Sequence, residues 1–363
     1  MSDPRVGSDD DIKALVDHVL SLGATQEDIE RAARVAGLGP LALDLTMRPE
    51  GPAVPFEAFL EATSMDPGQV RRLWSALGLP ESPPMPFPVT SDVQRALEAL
   101  SFLSLHLGEE AVLGLARVIG SSVARIADAL SSATRVGVEM PQIDTGMPYS
   151  EVARNYTTVA RELLPILWDA IGAIFRRHLV LVSYQRWSTD EERVAVTVER
   201  AVGFVDLVGS TDVLRTLSVS ETAALVNRFE QMVWDSVTSA GGRVVKLIGD
   251  EAMFVADEPV AACRLASAMV ERSADPVRVG LAVGPAVAMH GDYYGPTVNL
   301  AARLVAVAPP SSVIVSDAVK DVVGAVVGDV FAFEPFPTGP LRGFPDVSTA
   351  FRLTASSSLP SSR

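Results

Sequence analysis

Cysteine is almost absent from this chain: Cys263 is the single one among 363 residues. One thiol excludes a disulfide framework and a cysteine-built zinc site, and it suits a reducing compartment. Histidine is scarce too. His18, His106, His178 and His290 are scattered without metal-ligand spacing, so each reads as a packed or solvated side chain. Basic residues are outnumbered, with 30 Lys and Arg against 45 Asp and Glu and a formal net charge of -15. That excludes a nucleic-acid backbone as partner, which needs a basic face, but not a small anionic substrate that arrives with its own metal. Long hydrophobic runs are also lacking. The strongest, Leu163 to Tyr184, is broken by Asp169, Arg176, Arg177 and His178. It offers no uninterrupted apolar stretch of about twenty residues and reads as a buried or interface helix, not a membrane span. The start, Met1-Ser2-Asp3-Pro4, is acidic and polar, unlike a signal peptide. The expectation is a soluble, cytoplasmic protein.

What is present is ample apolar residue, 48%, over a length that suits two or three domains. Residues 1–182 read as an all-helical domain. Ile12, Leu15, Val16, Val19 and Leu20 recur at helical spacing, and Gly23 ends the segment. Thr25-Gln26-Glu27-Asp28 has the form of a capping box that opens a second helix, which stops near Gly37. Residues 56–63 and 67–77 read as two more. The prolines of 80–88 then force an extended connector. Longer helices are expected over 92–107, 109–133 and 149–182, with a kink at Pro165. Faces such as Ala111 to Ile119 are apolar nearly all round, which suits a bundle or a packed dimer face.

The polar, charged run that starts at Ser183 is the natural linker, 183–195. Beyond it the apolar period changes to two. Strand 196–206, helix 218–239, strands 243–248 and 251–256, helix 258–272 and strand 277–284 give the order βαββαβ. That is an α+β, ferredoxin-like arrangement, with helices on one face of an antiparallel sheet. A helix over 296–306 and short strands near 312–316, 329–333 and 348–353 complete the domain 196–355. The Ser/Pro-rich tail 356–363 is expected to be disordered.

One stretch organises this second half. The apolar run from Val202 ends in Asp206 before a turn at Gly209-Ser210-Thr211, and Lys246-Leu247-Ile248 turns at Gly249-Asp250-Glu251. Two strand ends then each present one aspartate. Adjacent carboxylates of this kind have a common use, holding divalent metal ions over a polyphosphate. A lone aspartate at a strand end is more often a turn former, so the pair in its context carries the reading. Arg303, four residues after Asn299, shares one helix face with it. On spacing alone Arg303 reads equally as a solvated helix charge.

Phe204-Val205-Asp206-Leu207-Val208-Gly209-Ser210-Thr211, Lys246-Leu247-Ile248-Gly249-Asp250-Glu251-Ala252-Met253-Phe254 and the run from Asp292 to Leu304 resemble, in order, the three signature blocks of class III nucleotidyl cyclases. The resemblance covers residues 195–355 and implies an adenylate cyclase, which turns ATP into 3′,5′-cyclic AMP and pyrophosphate. Asp206 and Asp250 match the family's metal-binding aspartates, implying two divalent cations per site, Mg2+ or Mn2+. The Leu207 carbonyl is a further candidate metal ligand. Lys246 and Asp292 match the purine-reading pair, and Asn299 and Arg303 the transition-state pair. Arg342 matches, more loosely, a basic position used on the terminal phosphates; Gly339-Pro340 precedes it, and Arg replaces the commoner Lys. In the family the metal aspartates come from one subunit and the purine pair, Asn and Arg from the other. The resemblance therefore implies a homodimer with two complete sites and an inactive monomer.

Adenine offers an acceptor at N1 and a donor at N6, which Lys246 and Asp292 complement. Guanine has the opposite polarity and would want a carboxylate where Lys246 stands, so ATP is expected over GTP. The arm Pro285 to Gly291 departs from the family, being apolar where many relatives carry glycine and polar residues. Two other readings stay open. One is a catalytically silent nucleotide-binding sensor or scaffold with a cyclase fold. The other is a diguanylate-type cyclase on a palm-like fold, against which stand the Ile248-Gly249-Asp250-Glu251-Ala252 turn and the Asn299/Arg303 helix. Residues 1–182 carry no catalytic constellation. They resemble, more loosely, the helical regulatory modules that precede the catalytic domain in actinobacterial two-domain cyclases. That implies dimerisation and control of the catalytic domains, with a lipid or a proton as candidate input and the linker switching between helix and coil. A dimerisation scaffold alone is the plainer alternative.

Overall fold

The computed structural model describes residues 8–187 and 197–355, apart from 36, 50, 52, 81–87, 211–212, 214, 328–329 and 348. The body of the proline connector, the linker beyond Trp187 and the tail 356–363 therefore lie outside the described residues. The chain divides into two compact units, Met1–Asp190 and Glu191–Arg363.

The first unit is built from helices: α1 Asp9–Ser21, α2 Gln26–Val35, α3 Leu38–Met47, α4 Phe56–Ala62, α5 Pro67–Ala76, α6 Ser91–Leu107, α7 Glu109–Thr134, α8 Met140–Asp144 and α9 Tyr149–Trp187. The expected capping box is reciprocal, with Asp28 N donating to Thr25 Oγ1 at 3.1 Å and Thr25 N to Asp28 Oδ2 at 3.0 Å. α1 to α3 enclose Val19, Ile29, Leu41 and Ala42. A larger core from α4 to α7 gathers Phe56, Phe59, Leu73, Trp74, Leu97 and Leu100. Helix α3 escapes a reading of the sequence because Gly39-Pro40 looks like a turn; proline is tolerated within a first helical turn, where its missing N–H has no partner to lose. Between α7 and α8 the helix widens to a π-turn over Arg135–Glu139. α9 is continuous through Pro165 and runs to Trp187, into the expected linker. No glycine or proline stands between Gly172 and Trp187 to stop it. No helix among the described residues is long and apolar enough to cross a membrane.

The second unit runs β1 Thr197–Leu207, α10 Val219–Ser239, β2 Arg243–Ile248, β3 Glu251–Ala256, α11 Pro259–Arg272, β4 Val277–Met289, β5 Asp292–Tyr294, α12 Pro296–Val307, β6 Ser312–Val315, α13 Asp317–Val327, β7 Phe331–Pro337 and β8 Thr349–Ala355. The sheet order is β2-β3-β1-β4-β6-β8-β7, with β5 paired to β4. The first four strands have the ferredoxin-like order of a βαββαβ unit, each antiparallel to its neighbour.

Two features differ from expectation. β4 and β6 are parallel, so the sheet is mixed. Helices also cover both faces: Ala201, Val205 and Leu207 of β1 pack with Leu225 of α10, Leu265 of α11 and Val319 of α13, whereas Val202 and Phe204 pack with Val298, Ala301 and Val305 of α12. The cause is in β1, where Ala201 to Val205 are buried at every position and no polar side chain alternates with them. A strand apolar on both parities needs cover on both sides.

Candidate active site

Asp206 is the last residue but one of β1 and lies opposite Glu251 of β3 on one side and Arg278 of β4 on the other. Asp250 stands in the two-residue turn between Ile248 and Glu251, after Gly249 at φ 64°, a left-handed backbone that glycine adopts freely. The turn folds back on β1: Leu207 N donates to Asp250 O at 3.0 Å. Buried Ser210 donates its hydroxyl to Asp250 Oδ2 and so fixes that carboxylate. The Asp206 carboxylate is held by the Arg278 guanidinium, Nε to Oδ2 at 2.7 Å. Glu251 joins the group. Its carboxyl is pushed above the ordinary range, first by burial and then by the charges of Asp206 and Asp250, with Arg278 pulling the other way.

These residues bear on the metal expectation in two ways. Among the described residues no group of three or more His, Cys, Asp or Glu is arranged to hold an ion alone. Two aspartates at adjacent strand ends, one of them already carrying a guanidinium, nevertheless suit hard divalent cations. Such ions commonly take one or two carboxylates and complete their shell with water and substrate phosphates. The donor set fits on that condition.

The expected purine pair is brought together. Lys246 Nζ of β2 stands 2.5 Å from Asp292 Oδ2 of β5, and Tyr293 N donates to Asp292 Oδ1 at 2.8 Å. Asp292 reaches this place because β4 continues to Met289, past the expected end at 284, and turns through His290 and Gly291 into β5. Both turn residues have positive φ, 54° and 78°, as the tight hairpin requires.

Asn299 and Arg303 stand on the exposed face of α12, four residues apart, while Val298, Ala301, Leu304 and Val305 are buried on the other. Among the described residues neither side chain has a hydrogen bond or ion pair, and neither meets Asp206 or Asp250. The helix is seated tightly on β4. Thr297 Oγ1 donates to Pro285 O at 2.7 Å, and Gly280 has no side chain where α12 passes. Leu207 is buried, and Arg342 is exposed in the turn beside buried Leu341. Ser210, Glu251 and Arg278 are the residues that the sequence reading left out. Ser210 follows Gly209 in the turn after β1 and so carries a local signal; Arg278 carries none without the strand register.

The family model described as the adenylate and guanylate cyclase catalytic domain matches residues 194–349. The adenylate cyclase regulatory domain matches residues 8–181. An uncharacterized protein of Mycobacterium tuberculosis is 34% identical over 316 residues, 85% of this chain and 82% of that protein. An adenylate cyclase of Streptomyces coelicolor is 33% identical over 78% of this chain and 75% of its own length. A pH-sensitive adenylate cyclase of Mycobacterium tuberculosis is 26% identical over 93% of this chain and 87% of its own. With both domains matched in order, the chain belongs to the class III adenylate cyclases of the actinobacterial two-domain type, in which a helical regulatory domain precedes the catalytic one.

Proposed function

We propose that this protein converts ATP to 3′,5′-cyclic AMP and pyrophosphate, at sites shared between two copies of the chain and controlled by its helical unit. The observation that carries the substrate is the Lys246–Asp292 pair, a donor and an acceptor held side by side at 2.5 Å in the polarity adenine needs. Asp206 and Asp250, with the Leu207 carbonyl, would hold Mg2+ or Mn2+, which when bound supply charge on the polyphosphate and lower the pKa of the ribose 3′-hydroxyl. Asn299 orients the ribose, Arg303 offsets the charge that develops on the α-phosphate, and Arg342 reaches the terminal phosphates. The 3′-hydroxyl gives its proton to water, its oxygen bonds to the α-phosphorus, and the bond from the α-phosphorus to the bridging oxygen breaks, with the electron pair leaving on pyrophosphate.

Two observations support sharing between copies. Asn299 and Arg303 project from the exposed face of their helix, and among the described residues neither side chain has a partner. In the helical unit, Leu115, Ile119, Val123 and Ile126 of α7 form an exposed stripe, as do Leu163, Ile166 and Ile174 of α9. Apolar rows of this length on soluble helices call for cover, and a second copy supplies an identical face.

The test is cyclic nucleotide formation by the full-length protein with Mn2+ and ATP or GTP. Cyclic AMP from ATP, lost in Asp206→Ala and in Arg303→Ala, is the expected result. Mixing those two inactive variants rebuilds one intact site per mixed dimer and should restore about a quarter of wild-type activity for random pairing. No restoration in a confirmed mixed dimer would overturn sharing. No product under any condition would leave the silent sensor as the better reading.

A further inference from the structure

Arg278 has a position that none of the roles above uses. It faces Asp206 across β1 and β4 in the sheet register. Its Nε and Nη2 lie 2.7 and 2.5 Å from Asp206 Oδ2, and its Nη1 donates to Ala306 O at 3.2 Å. Ala306 is the last residue but one of α12, the helix that carries Asn299 and Arg303. One planar guanidinium therefore grips a metal-site carboxylate with one edge and the C-terminal turn of the substrate helix with the other. The last carbonyls of a helix have no partner within it and attract cations, so the second contact is favourable in its own right. A lysine could supply the charge but not both edges of this fork.

A carboxylate that already carries a cation binds a second one less readily, because the two cations repel at short range. We propose that Arg278 is a positioning residue that serves as the built-in counter-cation of Asp206. It raises the divalent-metal concentration the site needs, and it passes the state of Asp206 to the helix Pro296–Val307. The inference rests on the reading of Asp206 as a metal ligand.

Mn2+ binding to the full-length protein, followed by electron paramagnetic resonance without nucleotide, tests the first half. Arg278→Gln removes the charge and should tighten Mn2+ by about three- to tenfold, the scale of one close charge at a partly exposed site. Arg278→Lys keeps the charge and should stay within about twofold of wild type. Unchanged or weaker binding by Arg278→Gln would overturn the counter-cation role, with circular dichroism to show the variant folded and Arg278→Lys as the second arm should it not fold. Binding that ignores Asp206→Ala, or no binding by any form even with 3′-deoxy-ATP present to complete the ion's shell, would instead remove the metal reading beneath it. Hydrogen exchange of peptides covering 296–308 tests the second half. Mn2+ should change their exchange in wild type and leave it unchanged in Arg278→Gln and Arg278→Lys. An equal response in all three would overturn the link to the helix.

Discussion

Lys246 and Asp292 are 46 positions apart in the chain, yet their charged atoms meet at 2.5 Å across β2 and β5. The pair is half-buried and already formed without a ligand, so on the proposed reading little reorganisation is needed to receive adenine. Reversing its polarity should reverse its preference. In Lys246→Glu combined with Asp292→Asn, a carboxylate faces the guanine N1–H and an amide donor faces O6. kcat/KM for ATP should fall by about a hundredfold or more, because adenine would leave the new polar groups unpaired. The ratio of cyclic GMP to cyclic AMP formed should rise. Unchanged preference in a folded double variant would mean that the pair does not read the base.

Ser210 should matter through Asp250. The hydroxyl is buried and donates to the Asp250 carboxylate, which stands in a short turn with few other restraints. Ser210→Ala frees that carboxylate to rotate. Loss of an outer hydrogen bond of this kind typically weakens a metal site by about tenfold or more. The Mn2+ concentration for half-maximal activity should rise by about that factor, with kcat at saturating Mn2+ changed much less.

Much of this was legible in residues, for a physical reason in each case. The hairpin of β2 and β3 follows from Gly249-Asp250 between two apolar runs, and its bounds come out as read. The order βαββαβ follows from the change of period. Other parts needed tertiary contacts. Helix α13, Asp317–Val327, is a valine-rich run whose β-branched residues favour strand locally. It is helical because Val319 and Val323, one turn apart, close the core under β6 and β8. Gly284-Pro285 looks like a strand end, yet β4 continues because Pro285 needs only to sit opposite Glu199. The Arg278–Asp206 contact spans 72 positions and depends on the register of two strands, which no local pattern encodes.

Gly280 makes a sharper test of how α12 is held. A Cβ there would run into Val305 N and Ala301 O, backbone atoms that cannot rotate away. Gly280→Ala must push the helix off the sheet, at a cost of about 1–3 kcal/mol for overpacking of this kind. Denaturant unfolding of the catalytic unit should show that loss. Asn299 and Arg303 move with the helix, so on the proposed reading kcat should fall as well, while Mn2+ binding at Asp206 and Asp250 should hold.

In the helical unit, the contact between α1 and α9 includes a histidine whose titration should affect stability. The side chains of Asp11, Arg154 and His18 strap these helices together. Asp11 accepts from Tyr149 N at 3.0 Å and Ser150 N at 2.9 Å, Arg154 donates to Ala14 O at 3.2 Å, and His18 Nε2 lies 3.2 Å from Thr157 Oγ1. Thr157 spends its own proton on Arg154 O at 2.9 Å, so its oxygen accepts from His18, and neutral His18 suffices. Burial first, then the nearby charges of Arg154 and Arg161, hold the His18 pKa below 6.5. In the unfolded chain His18 takes up its proton at the ordinary value. Between the folded and unfolded values the unfolded state therefore binds more protons, and stability rises with pH. The contribution is complete above 6.5 and is lost as pH falls through the depressed folded value. His18→Gln keeps a donor to Thr157 without a titrating ring. On acidification from above 6.5, the melting temperature of wild type should fall faster than that of His18→Gln. Parallel curves would mean that His18 is a packing residue only.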